Sequence, residues 1–159
     1  MNAELTVYTE ELKHLLDRLV QSLEGLTGEQ LNWRPPAPET NSIFVIATHT
    51  MGNLEAWVLG IVCAQPIERD RPAEFASSGQ DAAPLVARAR ELGRRFEEAL
   101  ATLSEPLDAM REPQQQHWGI GQTRPVSIRE GFMHTIEHAA IHLGEIGVTR
   151  DLVRAGAAS

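Results

Sequence analysis

The sequence predicts an all-α protein, and we expect a four-helix bundle with long connections between helices 2 and 3 and between helices 3 and 4. Two observations lead to this prediction. Apolar residues recur at helical spacing in four long segments, and the alternation typical of strands is almost absent. Four apolar helix faces are buried most simply against one another. The 159 residues suit a single domain, 1–159, with one core.

Helix 1 is predicted over residues 5–23, because apolar residues repeat there with the period of a helix. These residues are Leu5, Tyr8, Leu12, Leu15, Leu16, Leu19 and Leu23. A short helical turn should follow, since Thr27 and Gln30 have the spacing of a capping box. The next stretch, WRPPAPET, contains three prolines and must be extended or turned.

Helix 2 is predicted over residues 43–62, where the apolar run is nearly continuous. Asn41 and Ser42 are candidate N-caps, and the helix should end near Cys63, just before Gln65 and Pro66. A helix that is apolar on most faces is expected to be mostly buried.

Helix 3 is predicted after a polar connection over roughly residues 66–80. Asp81 can cap this helix, and SEPL closes it. Its apolar stripe consists of Leu85, Val86, Ala89, Leu92, Phe96, Leu100 and Leu103.

Helix 4 follows an irregular segment, residues 111–126, which contains two prolines and two glycines. A connection of this length in a small domain is more often functional than not. Ser127 and Glu130 form a second capping-box pattern, so the helix should run from about Ile128 to near Leu152.

The charge balance excludes some classes of partner. The chain has 14 basic and 22 acidic residues, a net charge of −8, so a phosphate-rich partner would be repelled and we expect no nucleic-acid binding. No stretch has the roughly 20 apolar residues that span a bilayer. We see no signal peptide and expect a cytoplasmic protein. Cys63 is the single cysteine and is expected to be a small buried apolar residue.

The most informative motif is HTIEHAAIH, which carries His134, His138 and His142 at spacings of four within helix 4. Residues four apart lie on one helix face, so two imidazoles placed in this way can bind one cation. The motif contains two overlapping metal-binding patterns, and both are considered.

The first pattern is HTIEH, an inverted zincin motif in which His134 and His138 would bind and Glu137 would act as the base. It requires a further carboxylate ligand well downstream. Glu145 is the only acid between His138 and Asp151, and it lies on the same helix. A metalloprotease is therefore disfavoured.

The second pattern pairs His138 with His142 and takes its third ligand from a facing helix. His49 is the candidate, because it is the only histidine of the buried helix 2. His14 is expected at the surface, and His117 lies in the long irregular segment.

Two stretches resemble the DinB-like superfamily of bacterial helix-bundle metalloproteins. They are LNWRPPAPETNSIFVIATHTMGNLEAW, residues 31–57, and EHAAIHLGEI, residues 137–146. The order of the helices is similar too, so the resemblance covers nearly the whole chain. It implies a metal triad of His49, His138 and His142, and leaves His134 outside. The chain departs from the usual pattern at Leu143, where Arg is common, and at Glu145, where Gln is common.

The resemblance also implies a chemistry. Three neutral imidazoles suit Zn²⁺ or Ni²⁺, and the superfamily includes enzymes that use low-molecular-weight thiols. We therefore expect a metal-dependent enzyme acting on a small molecule, most simply a transferase that moves such a thiol onto an electrophile. The candidates for the wall or entrance of the site are Asn53, Trp57, His117 and Trp118.

Two other functions stay open at this point. One is metal-assisted hydrolysis, with Glu137 or Glu145 as the base. The other is a non-catalytic, dimeric metal-binding module, although a purely structural ion is normally closed by four protein ligands. A homodimer is compatible with each of these functions.

Overall fold

The computed structural model describes residues 3–157 and has the all-α fold that the sequence predicts. Its long helices are α1 (Ala3–Leu23), α3 (Ile43–Leu54), α5 (Ala83–Ala101) and α7 (Ile128–Leu152). Its short helices are α2 (Gly28–Asn32), α4 (Arg71–Phe75) and α6 (Gln115–Trp118). A π-helical segment, Glu55–Val62, follows α3 directly. A short helical segment, Val153–Ala157, follows α7 and is interrupted at Gly156, where φ is 88°. The two strands are β1 (Met110–Arg111) and β2 (Val126–Ser127).

The four long helices share one apolar core. Helix α1 packs against α5 and α7, and α3 packs against the same two helices. The apolar positions predicted from helical spacing supply this core, which includes Leu12, Leu19, Leu92 and Phe132. Burial of these side chains is the main favourable contribution to folding. Within residues 3–157, no helix combines the length and the apolarity needed to cross a bilayer.

The predicted helix starts agree closely with the structure. Thr27 and Ser127 each form the capping box expected of them, and the side chain of Ser42 accepts a hydrogen bond from the amide of Val45. Helix α5 begins at Ala83, whose amide donates to the carboxylate of Asp81 at 2.8 Å. These caps satisfy amides that have no partner within the helix.

Helix 2 differs from its prediction in one respect. It ends next to Cys63 as expected, but its second half, Glu55–Val62, is π-helical. The amide of Cys63 donates to the carbonyl of Val58, five residues back, at 2.9 Å. A π-helical segment has wider turns than an α-helix and is often found at functional sites.

Two connections contain more structure than the sequence predicts. The segment 66–80 holds α4, where the Asp70 side chain accepts from the Ala73 amide and Pro72 lies in the first turn. The segment 111–126 holds α6, and its ends are joined by the antiparallel pairing of β1 with β2. Both connections therefore have fixed positions next to the helices that carry the histidines.

Candidate metal centre

Three histidines from two helices meet between α3 and α7. His49 lies on α3, and His138 and His142 lie one turn apart on α7. Each offers one ligand nitrogen, and these atoms all lie within 4.8 Å of one another. The ring centroid of His49 lies 5.2 Å from that of His138 and 5.1 Å from that of His142. This is the set that the second sequence pattern and the resemblance both indicate.

The two helices run antiparallel at this point. His49 faces His138 and His142, whereas Trp57, eight residues later, stacks on His134, which lies earlier in α7, with 3.8 Å between ring centroids. Antiparallel packing thus brings the middle of both helices together. It places His134 beside Trp57 and away from the three-histidine cluster.

A buried carboxylate orients His49. The Oε2 atom of Glu74, on α4, lies 2.8 Å from Nδ1 of His49, and both side chains are buried. Because a carboxylate only accepts, Nδ1 must donate. The Nε2 atom of His49 therefore keeps its lone pair, as a metal ligand requires.

Arg69 completes this arrangement. Its Nε donates to Oε1 of Glu74 at 2.7 Å, and its Nη2 donates to Oε2 at 3.0 Å. Burial raises the pKa of Glu74, but hydrogen bonds from His49 and Arg69 outweigh burial and hold that pKa below its ordinary value. Glu74 is therefore ionised at neutral pH and can hold the Nδ1 proton of His49.

Helix α4 reaches α3 closely because residue 52 is glycine. A Cβ atom at Gly52 would overlap Oε1 of Glu74. The same short helix places the ring centroid of Phe75 4.7 Å from that of His49, and the guanidinium carbon of Arg71 lies 4.7 Å from the Phe75 centroid. Glu74 and Phe75 thus fix the His49 ring from α4.

A second carboxylate orients His142. The Oε2 atom of Glu145 lies 2.6 Å from Nδ1 of His142, one helical turn earlier on α7. Nδ1 donates here as well, which leaves Nε2 of His142 as the available nitrogen. Glu145 is a sequence candidate for a catalytic base, and the structure gives it a contact with His142.

His138 lies at the centre of the histidine group and is uncharged. Burial, with smaller contributions from His142 and His49, lowers the pKa of His138 to about 3. Its Nδ1 atom is buried and has no hydrogen-bond partner within residues 3–157. A buried polar atom without a partner is unfavourable, and a bound cation would give one nitrogen of this ring a partner.

The donor set fits a divalent ion. A zinc–imidazole bond is about 2.1 Å long, so two nitrogens on one ion lie at most about 4.2 Å apart. Small rotations of the rings close the gap from the observed limit of 4.8 Å. Two of the three rings have the carboxylate partner that commonly supports a metal-bound histidine.

The candidate wall residues fall into two groups. Asn53 is buried one turn beyond His49 on α3, and its Oδ1 atom has no partner in the described chain. Trp57 is buried with Ile61 and Val126, and Trp118 packs on it at 5.3 Å between ring centroids. Asn53 thus lies one helical turn from His49, whereas Trp57 contacts His134.

His117 has a different environment. It is buried, and its Nε2 atom donates to the carbonyl of Ile67 at 2.6 Å. Its ring lies so close to Gly60 that a Cβ there would be 3.0 Å from Nδ1, and Arg69 donates to its carbonyl at 3.5 Å. His117 thus anchors the 111–126 segment to the connection that carries Arg69.

Other sequence candidates lie outside the cluster. Glu137 is exposed on α7, and His14 is exposed on α1 as expected. Burial lowers the pKa of His134, and the nearby Glu137 opposes that shift. Cys63 is half-buried against the core, and burial raises the pKa of its thiol to about 11.

Sequence reasoning did not identify Arg69 and Glu74. Both lie in the segment that the sequence predicts to be a polar connection. The signal that was available is Asp70 followed by Pro72, an N-cap and a first-turn proline that together mark a helix start. That signal predicts α4, but it does not predict that α4 lies against His49.

The fold and the site define an all-α protein with a three-histidine cluster between two antiparallel helices. Residues 11–146 match the model of the DinB superfamily, so the chain belongs to this family and the predicted resemblance is confirmed. The crystal structure of a DinB-like protein from Bacillus cereus ATCC 10987 has a TM-score of 0.61 and 22% identity, covering 95% of this chain and 87% of that chain. At this identity the similarity shows the shared fold alone. No curated protein matches the sequence.

Proposed function

We propose that this protein is a metal-dependent enzyme in which His49, His138 and His142 bind one divalent ion, zinc or nickel. The observation that carries the proposal is the convergence of three ligand nitrogens within 4.8 Å of one another. Membership of the DinB superfamily, whose members often bind metal, supports it further. Imidazole suits both ions.

Three protein ligands favour a catalytic ion over a structural one. A tetrahedral structural site is normally closed by a fourth protein ligand. No carboxylate or thiol joins the three histidines among residues 3–157, since Glu74 and Glu145 contact the Nδ1 atoms of the rings. Coordination positions are thus left for a substrate.

The reaction that we favour is transfer of a low-molecular-weight thiol to an electrophile. In this reaction a sulfur–carbon bond forms, the bond to the leaving group breaks, and the thiol proton passes to solvent. The ion would supply Lewis-acid activation of the thiol at neutral pH. The protein would hold His49 and His142 in the required tautomer through Glu74 and Glu145.

Hydrolysis is less well supported. Of the two candidate bases, Glu137 is exposed, and Glu145 accepts the Nδ1 proton of His142 at 2.6 Å. A general base needs a free oxygen within reach of the attacking water. Glu145 uses only its Oε2 atom on His142, so hydrolysis with Glu145 as the base stays the second candidate. The thiol reaction comes first because the superfamily that the chain resembles includes enzymes that use low-molecular-weight thiols.

The assembly and location of the enzyme are part of the same proposal. The mutual contacts of α1, α3, α5 and α7 support description as a four-helix bundle. Met133 and Ile141 are exposed apolar residues two turns apart on α7, and we propose that they form part of a homodimer contact. The acidic chain is proposed to act on a small molecule in the cytoplasm, without nucleic-acid or membrane partners.

Metal analysis tests the first part of the proposal. Protein purified without a histidine tag should contain about one equivalent of zinc or nickel by elemental analysis. His138→Ala should remove it, and His14→Ala, which changes an exposed histidine on α1, should not. Substoichiometric metal in the parent protein, with the same stability in His138→Ala, would contradict the metal site.

A conjugation assay tests the reaction. The metal-loaded protein is incubated with bacillithiol, mycothiol or glutathione and with 1-chloro-2,4-dinitrobenzene, and release of chloride and formation of the thioether are measured. We expect turnover that a chelator abolishes. A chelator that lowers the melting temperature while no thiol gives turnover would favour a non-catalytic module.

A further inference from the structure

An open groove lies beside the histidine cluster. It has a volume of about 500 Å³ and is bounded by the connection after α2, by α3 and by the second half of α7. Small-molecule sites in proteins typically have volumes of about 300–1,000 Å³ and mainly apolar walls. The apolar residues that line this groove are Pro35, Ile46, Val148 and Leu152.

The groove reaches the histidine cluster at one residue. His142 lines it, and the side chain of His142 is 20% exposed, whereas that of His49 is 7% exposed. Glu145, which holds Nδ1 of His142, lines the same groove. A molecule in the groove therefore contacts the cluster at His142, which is more exposed than His49.

The charged residues of the groove have one sign. Glu39 and Glu145 line it, and none of the described lining residues is Lys or Arg. Two carboxylates in a protein of net charge −8 repel a bound anion. The groove therefore selects against negatively charged groups.

The hydroxyl groups of the groove are not available to an anion either. Thr40 donates to the carbonyl of Pro35 at 2.7 Å, and Thr149 donates to the carbonyl of Glu145 at 2.8 Å. Since each hydroxyl has a single hydrogen to donate, both donors are used within the protein. Apart from Asn41, His142 and the two carboxylates, the remaining described wall is apolar.

We propose that this groove binds the electrophilic substrate, and that the substrate carries an apolar group without negative charge. The groove holds this group against Pro35, Ile46, Val148 and Leu152, next to His142. That the bound molecule reacts with a thiol rests on the proposed function. Binding itself requires only the groove.

A matched pair of ligands tests the selectivity in metal-free protein. The protein is treated with a chelator and titrated with 4-chlorobenzyl alcohol or with 4-chlorobenzoate, which are similar in size and differ in charge. Amide NMR shifts should report binding at Val148 and Leu152, with the alcohol bound about tenfold more tightly, as expected from repulsion by two carboxylates. Equal binding, or a preference for the benzoate, would overturn the proposal.

Two exposed valines provide a variant and its control. Val148 is 63% exposed in the groove, and Val7 is 61% exposed on α1. Because both valines are exposed, Val148→Asp and Val7→Asp should leave the core intact. Only Val148→Asp places a charged side chain in the wall of the groove. We expect Val148→Asp to weaken binding of the alcohol about fivefold or more, whereas Val7→Asp leaves it unchanged. The same weak binding in parent protein and Val148→Asp would overturn the proposal.

The groove could instead bind a second copy of the chain, and light scattering tests this by measuring the oligomeric state. If Val148→Asp converts a dimer into a monomer and leaves binding of the alcohol unchanged, the groove is a subunit interface and the proposal is wrong. The use of metal-free protein also separates this proposal from the metal site. If the purified protein contains metal but its metal-free form does not bind the alcohol, the groove proposal alone is wrong. If the purified protein contains no metal but binds the alcohol, the metal-site proposal alone is wrong.

Discussion

The Oε2 atom of Glu74 lies 2.8 Å from Nδ1 of His49, although the two residues are 25 positions apart in the chain. This contact places an ionised carboxylate behind a candidate metal ligand and determines which nitrogen of the ring carries the proton. Arg69 holds the carboxylate in place through two hydrogen bonds. The relationship makes Glu74 a positioning residue that acts through His49.

Replacing Glu74 should weaken metal binding. We expect Glu74→Gln to reduce affinity about 10–100-fold, the usual effect of losing such an outer partner, because an amide no longer selects the Nδ1-protonated ring. Affinity is measured by competition with a coloured chelator. The free energy of unfolding should also fall by about 3–5 kcal/mol, since Arg69 loses its buried partner.

Two further variants keep this prediction testable. Glu74→Asp retains a charge for Arg69 but withdraws the oxygen from His49 by one methylene group, so metal affinity should fall while most of the stability remains. Glu68→Gln, at an exposed acid of the same connection, is the matched control. Parent-like affinity in both Glu74 variants would show that the carboxylate does not orient His49.

Gly52 should be intolerant of even one methyl group. In Gly52→Ala the new Cβ would overlap Oε1 of Glu74, so the Glu74 carboxylate must shift and its contacts with His49 and Arg69 must change. We expect a loss of about 1–3 kcal/mol in unfolding free energy together with weaker metal binding. The matched control is Gly147→Ala on α7, where a Cβ meets nothing within 4 Å and should stabilise the helix by up to about 1 kcal/mol. Equal behaviour of the two variants would argue against the steric account.

His134 should contribute little to the metal site. Its ring centroid lies 5.9 Å from that of His138 but 3.8 Å from that of Trp57, on which it stacks. We expect His134→Ala to change tryptophan fluorescence and to leave metal stoichiometry intact, while His138→Ala and His142→Ala each lose the ion. Loss of metal in His134→Ala comparable to that in His138→Ala would restore the alternative pattern HTIEH.

Cys63 should react slowly, and faster as the pH rises. Burial raises the pKa of its thiol to about 11, so roughly 100-fold less thiolate is present at neutral pH than for an exposed cysteine. The rate of reaction with a disulfide reagent should increase about tenfold per pH unit between pH 7 and 9. Unfolded protein, in which the shift is absent, serves as the control. A rate that levels off below pH 8 would indicate an activated thiol instead.

The long helices were predictable because their signals are local. Ser42, Thr27 and Ser127 cap helices in the structure as their side chains suggest, and α7 has the predicted bounds. The π-helical turns after Leu54 were not predicted. The apolar run there is compatible with several helical forms, and packing against the neighbouring helices determines which one is adopted.

The site was predictable in part for the same reason. His138 and His142 share a helix face by spacing, and His49 was selected as the histidine of the buried helix. Glu74 could not be predicted, because its role depends on tertiary packing of a five-residue helix that has few signals of its own. His117 was expected near the entrance, but a hydrogen bond to the carbonyl of Ile67 determines its position.

The absence of a side chain at Gly52 also has a consequence for the superfamily. An acid placed like Glu74 and a side chain placed at position 52 exclude each other in space, so the two positions should vary together between relatives. Relatives with a residue larger than glycine at position 52 must hold the equivalent of His49 through another group, such as a water molecule or a backbone carbonyl. We expect this pair of positions to distinguish subgroups of the superfamily, which an alignment of relatives would test.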